Sequence, residues 1–521
     1  MHTSDPLQST TATSLTRCSH LASPGPAMEA HSCHNKHLIY GLLVAGSWLL
    51  SCLFHLQLFN VSPFRYSYLS SHRRAGPAEL PVNLFSPPPA VSDDDAKSRR
   101  SPSSSCEGRH VYMLDLPSRF NLLRDCVDGS PASEDESSAC VLMSNAGLGP
   151  VLAPLASNDT DRVIPNGWFN TNHHALEVIF HNRMRRYECL TDDPAAATAV
   201  YVPYYAGLEL NHYTCDTNAS VRDAPSAEFL RWLSSRPQWA TLGGRDHFML
   251  ASKTTWMFRR VPRSDDTIGC GNSFLDRPEC LNMTVLTIES NIWARRDMAV
   301  PYPSYFHPSS AAEVAAWQAR ARDTRRPWLF AFAGGPRPKG TLLVRDRIVD
   351  KCVSSPSRCG MLNCSHHHLV CRSAEKIMSL FASSRFCLQP RGDSFMRRSA
   401  VDAVVAGCIP VFFHEGSTFE KQYRWHETDN SVDYRHRYSV FIDEDDLVEG
   451  KVDIAEVLGR YSDEEVAAMR EEVIKMIPRF VYKDPRVRFE GDMKDGFDIA
   501  IEEVMARTRR IKNGKDLGWV V

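Results

Sequence analysis

The sequence has no imbalance of charge. Its 60 Lys and Arg residues stand against 62 Asp and Glu in 521 residues, a net charge of -2. The positive field that a nucleic-acid surface requires is therefore missing, and no nucleic-acid partner is expected. No internal repeat of fixed period is present. Charged residues make up 23% and hydrophobic residues 43%, as in an ordinary globular protein, and the length calls for two domains plus extras. Between Leu38 and Phe59 there is no Asp, Glu, Lys or Arg. At 1.5 Å rise per residue such a stretch spans a bilayer core of about 30 Å. It starts too late and runs too long for a cleaved signal peptide. Both Met1 and Met28 are possible starts.

What the chain has in excess is cysteine. There are 16, and thirteen lie between Cys106 and Cys408. Cys352, Cys359, Cys364 and Cys371, with His366, His367 and His368 among them, do not match zinc-site spacing, so no metal is expected. An oxidising compartment explains the cysteines as disulfides, with an odd thiol left over. The Arg65, Arg73 and Arg74 cluster beyond the apolar run, against Lys36 before it, would by itself place the C-terminal side in the cytosol. Four glycosylation sequons, at Asn158, Asn218, Asn282 and Asn363, argue the reverse together with the cysteines. Long domains also translocate largely regardless of flanking charge. The expected topology is type II, with the large C-terminal part in the lumen. Residues 60–105, rich in Pro, Ser and Asp runs such as Asp93–Asp95, read as a disordered stem.

Beyond Cys106, short apolar runs alternate with helical patterns. Strands are expected at His110–Leu116, Ala199–Tyr205, His247–Ser252 and Thr284–Glu289, then at Trp328–Ala333, Arg385–Gln389, Ile409–Phe413 and Tyr438–Ile442. Helices are expected over His173–Cys189, after Ser310, after Ser462 and across Phe497–Thr508. The fold class is α/β, a pair of Rossmann-type domains with a cleft between them, the architecture called GT-B, in which ligands lie beyond the carboxyl ends of strands.

The segment from Phe386 to Val411 reads as strand, polar loop, helix, glycine stop and strand. Gly407 is placed to end the helix in the left-handed conformation. Gly392 would let backbone approach a ligand. A helix N-terminus at Asp393, Ser394 and Phe395 would aim free N–H groups at an anion, with Arg391, Arg397 and Arg398 around it. Asp402 would accept hydrogen bonds from ribose hydroxyls. An ordinary βαβ unit with a basic face is an equally good reading of composition alone. A second Gly-rich loop, Gly334–Gly340, contributes Gly335, Arg337 and Lys339, followed by Arg345 on a helix; it suits a phosphate or is merely a charged surface loop. Asp246, His247 and Glu289 stand at strand edges as candidate general bases, against a simpler role in fixing loops.

These residues resemble the xyloglucan galactosyltransferases of land plants, within the exostosin-like glycosyltransferases (family 47). The resemblance runs from Cys106 to Lys512. It is carried by His110–Asn121, Glu177–Thr191, Tyr201–Leu208, Gly244–Phe248, Ile288–Trp293, Pro301–Pro308, Trp328–Pro338 and Phe386–Phe413. It implies an inverting enzyme that takes galactose from UDP-galactose, needs no other cofactor, and adds it to xyloglucan or a related hemicellulose. It also implies a Golgi membrane location, where homo- or hetero-oligomers with other glycosyltransferases are compatible partners. Departures occur at Arg391, where relatives commonly have Gln, at Glu415, where they often have Pro, and at His173 and His174, where Gln-Phe is usual. They bear on the sugar and the acceptor.

The expected organisation is a cytosolic tail (1–37), a membrane anchor (38–59), the stem (60–105), an acceptor-side α/β domain (106–325), a UDP-sugar-binding α/β domain (326–478) and a C-terminal helical segment (479–521). Two other readings remain. The sugar could be a uronic acid or arabinose, with Arg391 holding a carboxylate. Alternatively the fold could be a non-catalytic Golgi partner that has lost its chemistry.

Overall fold

The computed structural model describes residues 106–123, 139–152, 166–260, 269–294, 296–336, 343–364, 371, 373–427 and 435–515. The expected tail, anchor and stem lie outside these residues, as do Asn158, Arg337 and Lys339. Among the described residues no helix is long and apolar enough to cross a membrane.

Two sheets, each wholly parallel, form the described part. The first contains β1 (Val111–Met113), β2 (Leu190–Thr191), β3 (Ala199–Tyr201), β4 (His247–Thr254), β5 (Thr284–Glu289) and β6 (Met298–Ala299), in the order β2-β1-β3-β4-β5-β6. The second contains β7 (Trp328–Gly334), β8 (Cys359–Asn363), β9 (Ser384–Gln389), β10 (Ile409–Phe412) and β11 (Val440–Phe441), in the order β11-β10-β9-β7-β8. Counted within each half, both begin 2-1-3-4-5, the doubly wound order whose reversal point opens a crevice at the carboxyl ends of strands. All eight expected strands are present: four are shorter than expected, three longer, and β5 has the expected limits. β4 and β5 are buried along their whole length. Both faces of a covered parallel sheet are apolar, which is why these strands lack polar alternation.

The longer helices are α1 (Leu176–Met184), α2 (Ala219–Ser234), α3 (Ala311–Asp323), α4 (Leu343–Ser354), α5 (Ala374–Ala382), α6 (Arg398–Val405), α7 (Asp463–Phe480) and α8 (Gly496–Lys512). The Ser462 side chain and Glu465 close a reciprocal capping box at the start of α7. At α3, Ser310 caps Glu313 N–H, but the Glu313 carboxylate accepts from Ser309 instead.

Chain order and packing diverge at both crossovers. Helix α3 follows the first sheet in sequence yet lies on α7, with Trp317 Nε1 donating to Val405 O of α6 at 2.7 Å. Helix α8 returns to the first sheet. Its Phe497 ring sits 4.6 Å from Phe180 of α1, and Arg183 pairs with Asp495 and Asp498. A continuous apolar core runs through both halves, and a second cluster fills the other face of the first sheet.

Disulfides join Cys106–Cys189, Cys215–Cys270, Cys352–Cys359, Cys364–Cys371 and Cys387–Cys408. Cys140 is also disulfide-bonded, and buried Cys280 is a free thiol. The cysteines interleaved with histidines thus pair with each other, as an oxidising compartment allows.

Candidate active site

The carboxyl ends of β4, β5 and β9 converge. Strand β4 runs into the helical turn Thr255–Phe258, β5 stops at Glu289, and β9 feeds the loop Pro390–Arg397 that enters α6. Between them lies a cavity of about 260 Å³. Thr255, Trp256, Glu289, Ser290, Asn291 and Trp293 line one side, and Arg391 to Phe395 line the other.

Glu289 is 2% exposed at the cavity floor. Its Oε2 accepts Met396 N–H at 2.7 Å, and the Ser394 hydroxyl and Phe395 N–H donate to the same carboxylate. Burial raises its pKa from 4.5 to about 7; those hydrogen bonds and the Arg397 charge oppose the rise. This geometry corrects the reading of Asp393–Phe395 as a helix N-terminus. Helix α6 begins at Arg398, and Arg397 before it is extended (φ -141°, ψ 149°). Of the N–H groups expected to meet an external anion, that of Phe395 bonds the Glu289 carboxylate instead. Asp393 itself is exposed on the cavity wall.

Gly392 has a different role from the one expected. A Cβ there would fall 0.9 Å from Nη2 of Arg397, so the missing side chain makes room for that guanidinium. The Arg397 charge lowers the pKa of both Glu289 and His173. Arg391 pairs through two nitrogens with Glu444, at 2.9 and 2.8 Å.

Arg398 turns away from the cavity. Its Nη1 donates to Thr171 O at 2.7 Å, its Nη2 to Tyr305 Oη, and its Nε faces Asp402 at 3.5 Å. Asp402 is 1% exposed and accepts Ser304 Oγ–H at 2.7 Å. Burial lifts its pKa to about 6 despite Arg398 and Ser304. A carboxylate enclosed in this way cannot meet a ribose, so Arg398 and Asp402 are corrected to a structural pair.

Arg345 is likewise buried. Its Nε donates to Gly335 O at 2.9 Å and its guanidinium stacks 5.3 Å from the Phe332 ring. It shapes the β7 loop from inside, which removes it and the Gly335 carbonyl from direct donor contact.

Asp246 precedes β4 and His247 begins it, seven residues before Thr254, which is about 23 Å at strand rise from the cavity end. The His247 ring bonds Asp246 at 2.8 Å and packs edge-on to Trp239. They secure the far end of the strand, and of the three candidate bases only Glu289 lies in the cavity. Asn218, Asn282 and Asn363 are all exposed. Asn218 also caps α2, accepting Ser220 N–H at 2.9 Å.

Beside the cavity lie His173, His174 and Lys253. His174 Nδ1 bonds Ser252 O at 2.8 Å. His173 meets solvent along its outer edge; enclosure of the rest, then the charges of Arg398, Lys253 and Arg397, pushes its pKa down, so the ring is neutral at pH 7. Sequence reasoning gave no reason to choose Lys253, Trp256 or Trp293. The available signal for Trp293 was a tryptophan in a polar turn just after a strand end.

Residues 105–458 match the exostosin GT47 domain. The chain is 43% identical to the xyloglucan galactosyltransferase MUR3 of Arabidopsis thaliana over 412 residues, 79% of this chain and 64% of that protein. It is 40% identical to a probable xyloglucan galactosyltransferase, GT14, of the same plant, over 88% of this chain and 87% of that one. With a xyloglucan-specific galacturonosyltransferase of that plant the identity is 36%, over 79% of this chain and 59% of the relative. The chain belongs to the exostosin GT47 family of glycosyltransferases.

Proposed function

We propose that this protein transfers galactose from UDP-galactose, with inversion, to side-chain hydroxyls of xyloglucan, as a GT-B enzyme anchored in the Golgi membrane with its catalytic part in the lumen. The relatives' names support the sugar and the acceptor. The paired 2-1-3-4-5 sheets with their carboxyl ends at one cavity support the architecture. The observation that carries the chemistry is Glu289, a buried carboxylate with a pKa near neutrality, held against the loop that brings Arg397.

In this reading the acceptor oxygen attacks the anomeric carbon from the face opposite UDP. The new C–O bond forms as the bond to the diphosphate oxygen breaks. Glu289 takes the acceptor proton, and a base with pKa near the working pH is best placed to do so. Arg397 neutralises charge on the departing diphosphate, and Lys253 adds to the positive field of the cleft. Arg337 and Lys339, which follow Gly335 in sequence, would add further positive charge for the diphosphate.

The test is the full-length protein, made in a eukaryotic secretory host and purified in detergent, incubated with xyloglucan oligosaccharides and a panel of UDP-sugars. Hexose mass gain with UDP-galactose alone is expected. Mass gain from UDP-galacturonic acid or UDP-arabinose instead would overturn the choice of donor. UDP binding without any transfer would overturn the catalytic reading.

A further inference from the structure

Two indoles stand open at the mouth of the cavity. Trp293 is 73% exposed and Trp256 38% exposed, although tryptophan gains more from burial than almost any residue. Neither sits on a loose segment. Trp293 lies in a turn in which its own N–H donates to Asn291 Oδ1 at 3.0 Å and Ala294 N–H to Asn291 O at 3.0 Å. Asn291 N–H in turn donates to Asp297 Oδ2 at 3.1 Å. Trp256 lies in the turn that ends at Arg259, and Arg259 holds Asp297 through two bonds of 2.5 and 2.6 Å. One ion pair thus locks the two tryptophan-bearing segments together. The Phe395 ring meets Trp293 edge-on at 5.5 Å, and Phe395 N–H is one of the donors to Glu289.

A fixed, exposed pair of indoles beside the candidate base serves a ligand whose surface is flat and partly apolar. A pyranose ring presents such a face of C–H bonds. The charge of the rim selects further: Arg259 is matched by Asp297 and also faces Asp276 at 3.4 Å, so its cation is already answered and this lip is not an anion site. We propose that Trp293 and Trp256 form the acceptor platform, stacking neutral sugar rings of the oligosaccharide next to the unit that receives the new sugar. This rests on the glycosyl-transfer reading of Glu289 and assigns the side from which the acceptor enters.

The experiment uses the full-length protein in detergent and the variants Trp293→Ala, Trp256→Ala and Trp293→Phe. Calorimetry measures binding of a xyloglucan oligosaccharide and, separately, of UDP; the mass-gain assay measures KM and kcat. The expected result is a rise of about tenfold or more in oligosaccharide Kd and KM for Trp293→Ala, with a smaller rise for Trp256→Ala. Trp293→Phe should recover most of the affinity, and UDP affinity should stay within twofold throughout. Unchanged oligosaccharide affinity in Trp293→Ala, or an equal loss of UDP affinity, would overturn the platform. Wild-type binding that the alanine variants lose, without transfer by any of them, would sustain the platform and sink the catalytic reading instead. No oligosaccharide binding by wild type would sink the platform as well.

Discussion

Glu289, the last residue of β5, accepts the N–H of Met396, from the loop that enters α6, at 2.7 Å. A carboxylate of the first sheet is thereby fixed to the loop that carries Arg397. The same burial that makes Glu289 useful makes it expensive. With a folded pKa of about 7 against 4.5, the folded state keeps a proton that the unfolded chain releases. Stability from this group is therefore fully present below about pH 4.5 and falls as pH rises through 7, by about 3 kcal/mol. A base must be ionised to act, so transfer should rise with pH through an apparent pKa near 7. Glu289→Gln should lose about 100-fold or more in kcat and lose that acid limb, while being no less stable than wild type at pH 8. Urea titrations at pH 5 and pH 8 check this. A variant that unfolds more easily at both pH values, with its residual pH profile intact, would reduce Glu289 to a structural tie.

Arg398 was a natural choice for a phosphate ligand in the sequence and is committed elsewhere in the structure. Removing it leaves Asp402 buried without its cation and frees Thr171 O and Tyr305 Oη. Arg398→Ala should therefore cost about 3–5 kcal/mol of stability. Asp402→Asn keeps an acceptor for Ser304 Oγ and should cost no more than about 1 kcal/mol. Denaturant midpoints of the two variants, measured together, give the comparison. Equal losses would overturn this comparison, showing that Arg398 contributes through its pairing with Asp402 rather than through Thr171 O and Tyr305 Oη.

The strands were legible because buried parallel strands are continuous apolar runs, and β5 appeared with its limits as read, Thr284–Glu289. The glycine stop was legible for a similar local reason: Gly407 has φ 64° at the end of α6. Adjacency was not legible. The sequence places Asp246 and His247 at the start of one expected strand and Glu289 at the end of another, but it does not show that the two strands are parallel neighbours, so that the first two lie at the end away from the cavity. Nor can it show which charges are answered internally. Arg391, Arg398 and Glu289 all look available as polar residues at strand ends or helix starts, yet Glu444, distant in sequence, Asp402, one turn along the same helix, and the Met396 amide, from the opposite half, decide which faces the cavity and which does not. Trp293 could be noticed as a tryptophan in a polar turn after a strand end, but its exposure, which marks it out, is a tertiary quantity.

Gly392 is the position where a single methyl group separates folding from binding. Its Cβ would overlap the end of the Arg397 side chain, a flexible group that can swing aside. Gly392→Ala should leave the melting temperature within a few degrees of wild type. It should weaken UDP binding about tenfold or more, because charge-assisted hydrogen bonds of about 1.5–3 kcal/mol go with the guanidinium. Calorimetric UDP titration beside a thermal melt separates the two effects. Unchanged UDP affinity would remove Arg397 from the donor site.

Arg391 offers the sharpest discrimination between donor sugars. Relatives of the chain include a protein named as a galacturonosyltransferase, and an arginine where glutamine is common could hold a sugar carboxylate. In this structure both Glu444 oxygens already occupy Arg391, with the arginine 37% and the glutamate 14% exposed. A partly exposed pair of this kind contributes only about 0–1 kcal/mol to stability, so its loss should be tolerated. Arg391→Gln should accordingly keep the preference for UDP-galactose over UDP-galacturonic acid to within about twofold of wild type, a change of roughly 0.4 kcal/mol. Competition between the two donors in one reaction, read by product mass, measures that ratio directly. If wild type prefers the uronic acid and Arg391→Gln reverses the preference, then Arg391 must exchange Glu444 for the sugar when the donor binds, and the galactose assignment falls.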